Sequence, residues 1–294
     1  EKSPYELLDK NNYRKLYYEM SKEAQYKECL LMAEYAENTK HCMVSYYVLS
    51  PVGDAKTVGG SYQRMFPTMK LYRSYDNADV RRDCNITGAY NPNNRYGSDL
   101  SKIPSETVDG YRYYVPAESS GVASGTSTAL WCTGKFRVSD PKERSSISAN
   151  QCVMNYPLMR MAEVRLQYAE ALYFTGDESG ARKQFDPVRE RVLAGDVSLK
   201  KLNEAYYRSD FVEELLEERG RELCYESKRK IDLIRFGRIT ETIEELPSEG
   251  GPNNVAVGID LLKDNWRSYK IWLPVPQLEI DLNPNLEQNA VYAD

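Results

Sequence analysis

Residues able to perform covalent chemistry are few in this chain. His41 is its single histidine, which argues against a metal site built on several imidazoles and leaves a hydrolytic triad without visible partners. It stands beside Cys42 at the end of a helical-looking stretch, where a capping or surface role is expected. No G-x-S-x-G, P-loop or G-x-G-x-x-G is present. Carboxylates are abundant, with 44 Asp and Glu, and two at the right separation suffice to hydrolyse a glycoside. Asp76, Asp79 and Asp83 come nearest to a cluster. They are expected to be solvated or ion-paired, and "DNAD" lacks the further ligands of a calcium loop. No metal and no cofactor is expected.

Non-covalent recognition is better provided for. Tyrosine is over-used, 24 against 6 Phe and 3 Trp, and Tyr offers a flat apolar body with a polar tip. Between residues 88 and 131, Tyr90, Tyr96, Tyr111, Tyr113, Tyr114 and Trp131 stand beside Asn93 and Arg112. Sugar rings have apolar C–H faces and a rim of hydroxyls. Aromatic planes match the faces, and amide, guanidinium and phenol groups match the rim. These eight residues are therefore the expected ligand contacts. The alternative for each ring is that it plugs its loop onto a helical base. Trp266 and Trp272 are expected to pack in the core.

A third constellation is "RELCYESKRKIDLIRFGR" (residues 221–238), with six basic and three acidic side chains. Glu218, Arg219, Glu222, Arg229, Asp232 and Arg235 recur at spacings of mostly three or four, which sets opposite charges side by side on a helix. A semi-buried ion-pair network joining two helices is expected. A nucleic-acid patch is not, because the net charge is −5 and the cations are interleaved with acids.

The elements that must position these groups can be read coarsely. Residues 1–50 read as helical, with "CMVSYYVLS" (42–50) as a short strand. Residues 51–151 are rich in Gly, Asn, Ser and Pro and read as a loop-rich ligand region. From 152 to 294 the helical period returns. "LMRMAEVRLQYAEALYFTG" (158–176) carries an apolar helical stripe. Gly176 reads as its stop, Asp177 as the next N-cap, and Pro187 as a kink or new start. Ala169, Ala181 and Phe185 match the small and aromatic positions of a tetratricopeptide-type helix pair. Asp210 opens a further helix, with Glu213 at capping-box spacing. The proline-rich tail after 270 reads as irregular. No apolar run reaches the roughly 18–20 residues of a membrane span. Six scattered cysteines without a CxxC are expected to be mostly free and buried. Asn85 heads an N-x-T sequon.

Several stretches together resemble the SusD/RagB-like family. "YPLMRMAEVRLQYAEAL" (156–172) looks like the helix opening its C-terminal half. "EERGRELCYESKRKIDLIRFG" (217–237) is similar to its ER-x-x-EL-x-x-E-x-x-R-x-x-DL-x-R segment. "LPVPQLEIDLNPNLEQN" (273–289) resembles its closing signature, and "NADVRRD" (77–83) its D-x-R element. The resemblance implies a mostly α fold, in which tetratricopeptide-like helix pairs support a long loop-rich region with little β. It implies a single domain over 1–294 that lacks the family's N-terminal part with the lipid-bearing cysteine. It implies non-catalytic capture of glycan at the cell surface, anchored to the outer membrane, for uptake by a SusC-like TonB-dependent transporter. The alternatives are peptide capture of the RagB kind and, from another class, a glycoside hydrolase. Tyr225-Glu226-Ser227 departs from the commoner Phe-Glu-Gly.

Overall fold

The computed structural model describes residues 3–17, 22–35, 67–89, 105–108, 111–114, 130–136, 155–194, 201–202, 206–246 and 255–292. The described residues are mostly helical. Their best-defined unit is a pair of helices, α4 (Met161–Phe174) and α5 (Glu178–Glu190). Ala162, Leu166 and Ala169 recur at three and four residues on α4, and Ala181, Phe185 and Val188 on α5. All six are fully buried and form one cluster, because small residues let the backbones approach and Phe185 fills the groove. Gly176 ends the first helix at φ 88°, a conformation that costs glycine little. The Asp177 carboxylate accepts from the Gly180 N–H at 2.7 Å and opens the second. Pro187 neither starts nor stops α5, which runs on to Glu190.

A third helix, α6 (Phe211–Glu222), packs on this pair. Asp210 caps it by accepting from the Val212 N–H at 2.8 Å. Glu213, spaced for a reciprocal cap, pairs with Arg238 at 3.2 Å. Phe211 stacks on Tyr173 with centroids 4.6 Å apart. Short helices α7 (Arg229–Arg235) and α8 (Ile239–Glu244) follow. The tail is more regular than its prolines suggest: α9 (Val255–Asn265) is followed by α10 (Gln277–Leu282). Pro276 sits at the N-cap of α10, where its missing N–H is harmless. The Gln288 amide both accepts from the Val275 N–H and donates to the Val275 carbonyl. Trp272 is 66% exposed, against the expectation of core packing, and Trp266 is half-buried with its indole N–H on Thr240.

Two short sheets depart from the helical reading. β1 (Cys29–Ala33) pairs antiparallel with β6 (Tyr156–Arg160). The first 50 residues are therefore not helical throughout, although α1 (Lys22–Glu28) precedes β1, and the family-like segment 156–172 is a strand before it is a helix. The second sheet has the order β3 (Ser105–Val108), β4 (Tyr111–Tyr114), β2 (Ile86–Ala89), β5 (Leu130–Thr133). Helices α2 (Met69–Arg73) and α3 (Arg81–Asn85) lead into it. His41 and residues 42–50 lie outside the described residues. Cys29, Cys84 and Cys224 are free and buried. Asn85 is fully buried and donates to Tyr75 and the Arg221 carbonyl, so its sequon is unavailable in the fold.

Candidate functional site

The expected ligand residues fall on the second sheet or outside the described residues. Tyr90, Asn93 and Tyr96 are outside. Tyr111, Arg112, Tyr113 and Tyr114 make up β4, a strand where a loop was expected, and Trp131 lies on β5. The central strand β2 supplies the relation between them. Gly88 pairs with Tyr114 on one side and with Trp131 on the other. The two aromatic positions thus stand at one register level, two strand spacings or ~10 Å apart, and the residue between them is glycine.

That sheet is joined to a charged centre. Ile86 and Thr133, paired at the other end of β2 and β5, are fully buried. Thr133 leads to Lys135, whose ammonium is buried against Glu226 at 2.8 Å. Around it are five more cations, Arg81, Arg160, Arg189, Arg191 and Arg221, and five more acids, Glu28, Asp79, Glu214, Glu218 and Glu222. All twelve side chains are at most 5% exposed. Six positive and six negative groups balance, as buried charges must. Arg81 forks onto Asp79 at 2.6 Å and reaches Glu218 and Glu222 at 2.5 and 2.8 Å. Arg160 meets Glu28, Glu222 and Glu226. Arg189 meets Glu214 and Glu218, and Arg191 meets Glu28 and Glu222.

Burial opposes the negative charge on these acids, and the surrounding cations outweigh it. The Glu226 carboxyl is held at about 2 by Arg160 and Lys135. Arg81, Arg221 and Arg189 hold Glu218 well below the usual range. Arg191, Arg160 and Arg81 do the same for Glu222. Such carboxylates carry no proton to give near neutrality and face cations from several sides, so they suit a scaffold and not acid–base catalysis. Among the described residues no group of three or more His, Cys, Asp or Glu could hold a metal ion.

The six charged residues singled out on the sequence divide three ways. Glu218 and Glu222 enter the buried centre, with cations from other elements. Arg219 and Arg235 share Asp232 at 2.7 and 3.0 Å. Arg229 has no described carboxylate within ion-pair distance and donates to the Leu216 carbonyl at 2.6 Å, which corrects its assignment to the network. Asp76, Asp79 and Asp83 do not gather. Asp79 holds Arg81, Asp76 caps the Ala78 N–H and Asp83 holds Arg82. The long-range partners Arg160, Arg189, Arg191 and Lys135 were missed, and only the D-x-R spacing of Asp79 and Arg81 hinted at the centre.

The model of the SusD family matches residues 9–292. The starch-binding protein SusD of Bacteroides thetaiotaomicron is 29% identical over 201 residues, covering 67% of this chain and 31% of that protein. SusD-like protein P2 of Formosa agariphila is 28% identical over 250 residues, covering 81% and 42%. This chain therefore spans less than half the length of either. Among solved structures, surface glycan-binding protein A of B. thetaiotaomicron aligns with a TM-score of 0.64 at 19% identity, over 98% of this chain and 56% of that one. The same glycan-binding protein in complex with laminarihexaose aligns with a TM-score of 0.61 at 20% identity, again over 98% and 56%. The family's fold is thus reproduced along nearly all of this chain, and the protein belongs to the SusD family.

Proposed function

We propose that this chain forms part of a non-catalytic glycan-capture protein of the cell surface. The protein would be held at the outer membrane by a lipid anchor and would deliver oligosaccharide to a SusC-like TonB-dependent transporter. The observation that carries the reading is the register of the second sheet, with Tyr114 and Trp131 level on either side of Gly88. Two aromatic positions separated by a residue without a side chain suit flat sugar faces. Tyr111, Arg112 and Tyr113 on the same strand, with Tyr90, Asn93 and Tyr96 nearby in sequence, supply the aromatic and polar groups of the proposed face. The complex of a similar protein with laminarihexaose supports the ligand class.

The test has two arms. Calorimetric titration of the chain with laminarihexaose, maltoheptaose and a mixed oligosaccharide pool should show saturable binding of at least one. Prolonged incubation followed by a reducing-end assay should show no release. Binding of peptides alone would replace the ligand class, and release abolished by a single Asp or Glu substitution would replace the non-catalytic reading.

A further inference from the structure

Arg229 differs from the buried arginines around it. Arg81, Arg160, Arg189, Arg219 and Arg221 are buried, and each has a carboxylate within 3.0 Å. Among the described residues, the half-buried Arg229 guanidinium, on α7, hydrogen-bonds only the Leu216 carbonyl, through Nη1. It borders a half-open pocket of about 310 Å³ lined by residues of α2, α6, α7 and α8 and of their flanking turns. Pro67, Leu71, Leu233 and Leu246 give that pocket apolar walls, and Thr242 adds a hydroxyl. Of the other charged groups lining it, Lys70 pairs with Glu245 at 2.8 Å, and Glu217 pairs with Arg208 at 3.0 Å while its field also reaches Arg229.

The guanidinium is also seated. It packs over Gly220 of α6, where a Cβ would stand 3.3 Å from Nη1. Glycine inside a helix is unfavourable relative to alanine, and here its missing side chain makes room for the fork. Burial pulls the Arg229 guanidinium below its ordinary value, with partial relief from Asp232 and Glu217.

We propose that this pocket binds a small molecule with an apolar body and one carboxylate, the carboxylate pairing with the free edge of the Arg229 fork. The argument is charge complementarity. A fork with one hydrogen bond used presents its remaining N–H groups to a bidentate acceptor, and the leucine walls favour a compact hydrocarbon body over a hydroxylated ring. This site is separate from the proposed glycan face and does not depend on it.

The experiment uses benzoate and benzyl alcohol as probes, equal in body and different in charge. Methyl NMR of the 294-residue chain should show saturable shifts at Leu71, Leu233 and Leu246 with benzoate, and at least tenfold weaker binding of benzyl alcohol. Arg229→Met should weaken benzoate at least tenfold and leave benzyl alcohol unchanged. Arg229→Lys should retain part of the preference. Absence of saturable shifts with benzoate, or equal affinity for the two probes, overturns the proposal on the wild-type chain alone. Unchanged benzoate binding in a folded Arg229→Met variant overturns it as well.

Discussion

Arg81 and Glu222 lie 141 positions apart in sequence and meet at 2.8 Å with both side chains fully buried. The contact ties α3 to α6, and through Arg160 and Arg191 on the same carboxylate it ties in β6 and the end of α5. Glu222 is therefore a hub: one side chain fixes the relative placement of elements that meet nowhere in sequence.

Removing Arg81 should be severe for that reason. Arg81→Ala would leave Asp79 buried without its cation and remove one of several cations from Glu218 and Glu222, and breaking a buried pair costs about 3–5 kcal/mol. Arg235→Ala breaks pairs at a side chain that is 35% exposed, where screening limits the loss to about 1 kcal/mol or less. Urea melts of both variants check the contrast. Equal losses would mean that the centre is not the keystone its burial suggests.

The same acids set an acid limit. Glu226 ionises at about 2 in the fold against 4.5 for a free glutamate, and Glu218 and Glu222 are depressed in the same direction. Below 4.5 the unfolded chain binds protons that the folded chain refuses, so stability rises with pH across this interval. The contribution is complete above pH 4.5 and is lost as pH falls toward 2. Glu226→Gln should flatten the fall while lowering stability at pH 7. Denaturation free energies between pH 2 and 7 would expose a wrong sign as a curve that rises on acidification.

The α4–α5 contact gives a packing prediction. Phe185→Ala opens a void in a fully buried cluster and should cost about 3–5 kcal/mol. Ala181→Leu forces bulk into the closest approach of the helices and should cost about 1–3 kcal/mol. Thermal melts distinguish these from surface effects, for which Lys183→Ala on the exposed side of α5 is the control.

These predictions follow how legible the sequence was. Ala169, Ala181, Phe185, Gly176, Asp177 and Asp210 were readable because their physics is local: caps, a stop, and small residues at helical spacing. β1 and β6 were not. Leu30 and Leu31, like Leu158 and Met159, sit in runs that fit a helix as well as a strand, and only pairing across about 127 positions decides between them. The charged segment shows the same division. Its acids were visible, and Arg235 with Asp232 could be guessed from the helix repeat. Apart from Arg221, three residues from Glu218 on the same helix, the cations that neutralise Glu218 and Glu222 are Arg81, Arg160, Arg189 and Arg191, whose spacing carries no sign of convergence. The aromatic residues of 111–114 were expected in a loop because the surrounding Gly, Ser and Asn dominate the composition there, although "YRYY" itself favours a strand.

Thiol chemistry offers an independent check on burial. Burial pushes the Cys29 thiol up to about 12 and Cys84 to about 11, and raises Cys224. Thiolate is the reactive form, so iodoacetamide at pH 8 should leave these three unlabelled in the native protein and label them in urea. Peptide mapping by mass spectrometry resolves them from the other cysteines. Native labelling of Cys84 would contradict its place on the buried side of α3.

The glycan face is tested at the register that motivates it. Tyr114 and Trp131 flank Gly88 from adjacent strands. If both rings stack on sugar, each contributes on the order of 1 kcal/mol beyond its buried area, so Tyr114→Ala and Trp131→Ala should each weaken binding roughly five- to tenfold. Tyr113 lies on the same strand and one residue out of register with them, so Tyr113→Ala should weaken binding less. The strand alternation makes that ordering a sharper requirement than loss of affinity alone. Each variant must first melt like the parent, because β4 and β5 also complete the sheet above Lys135. Titration with whichever oligosaccharide the wild-type chain binds then decides. Normal binding in all three would make these rings supports for the sheet and move the ligand face elsewhere. A Tyr113 effect larger than the other two would place it on the opposite side of the sheet.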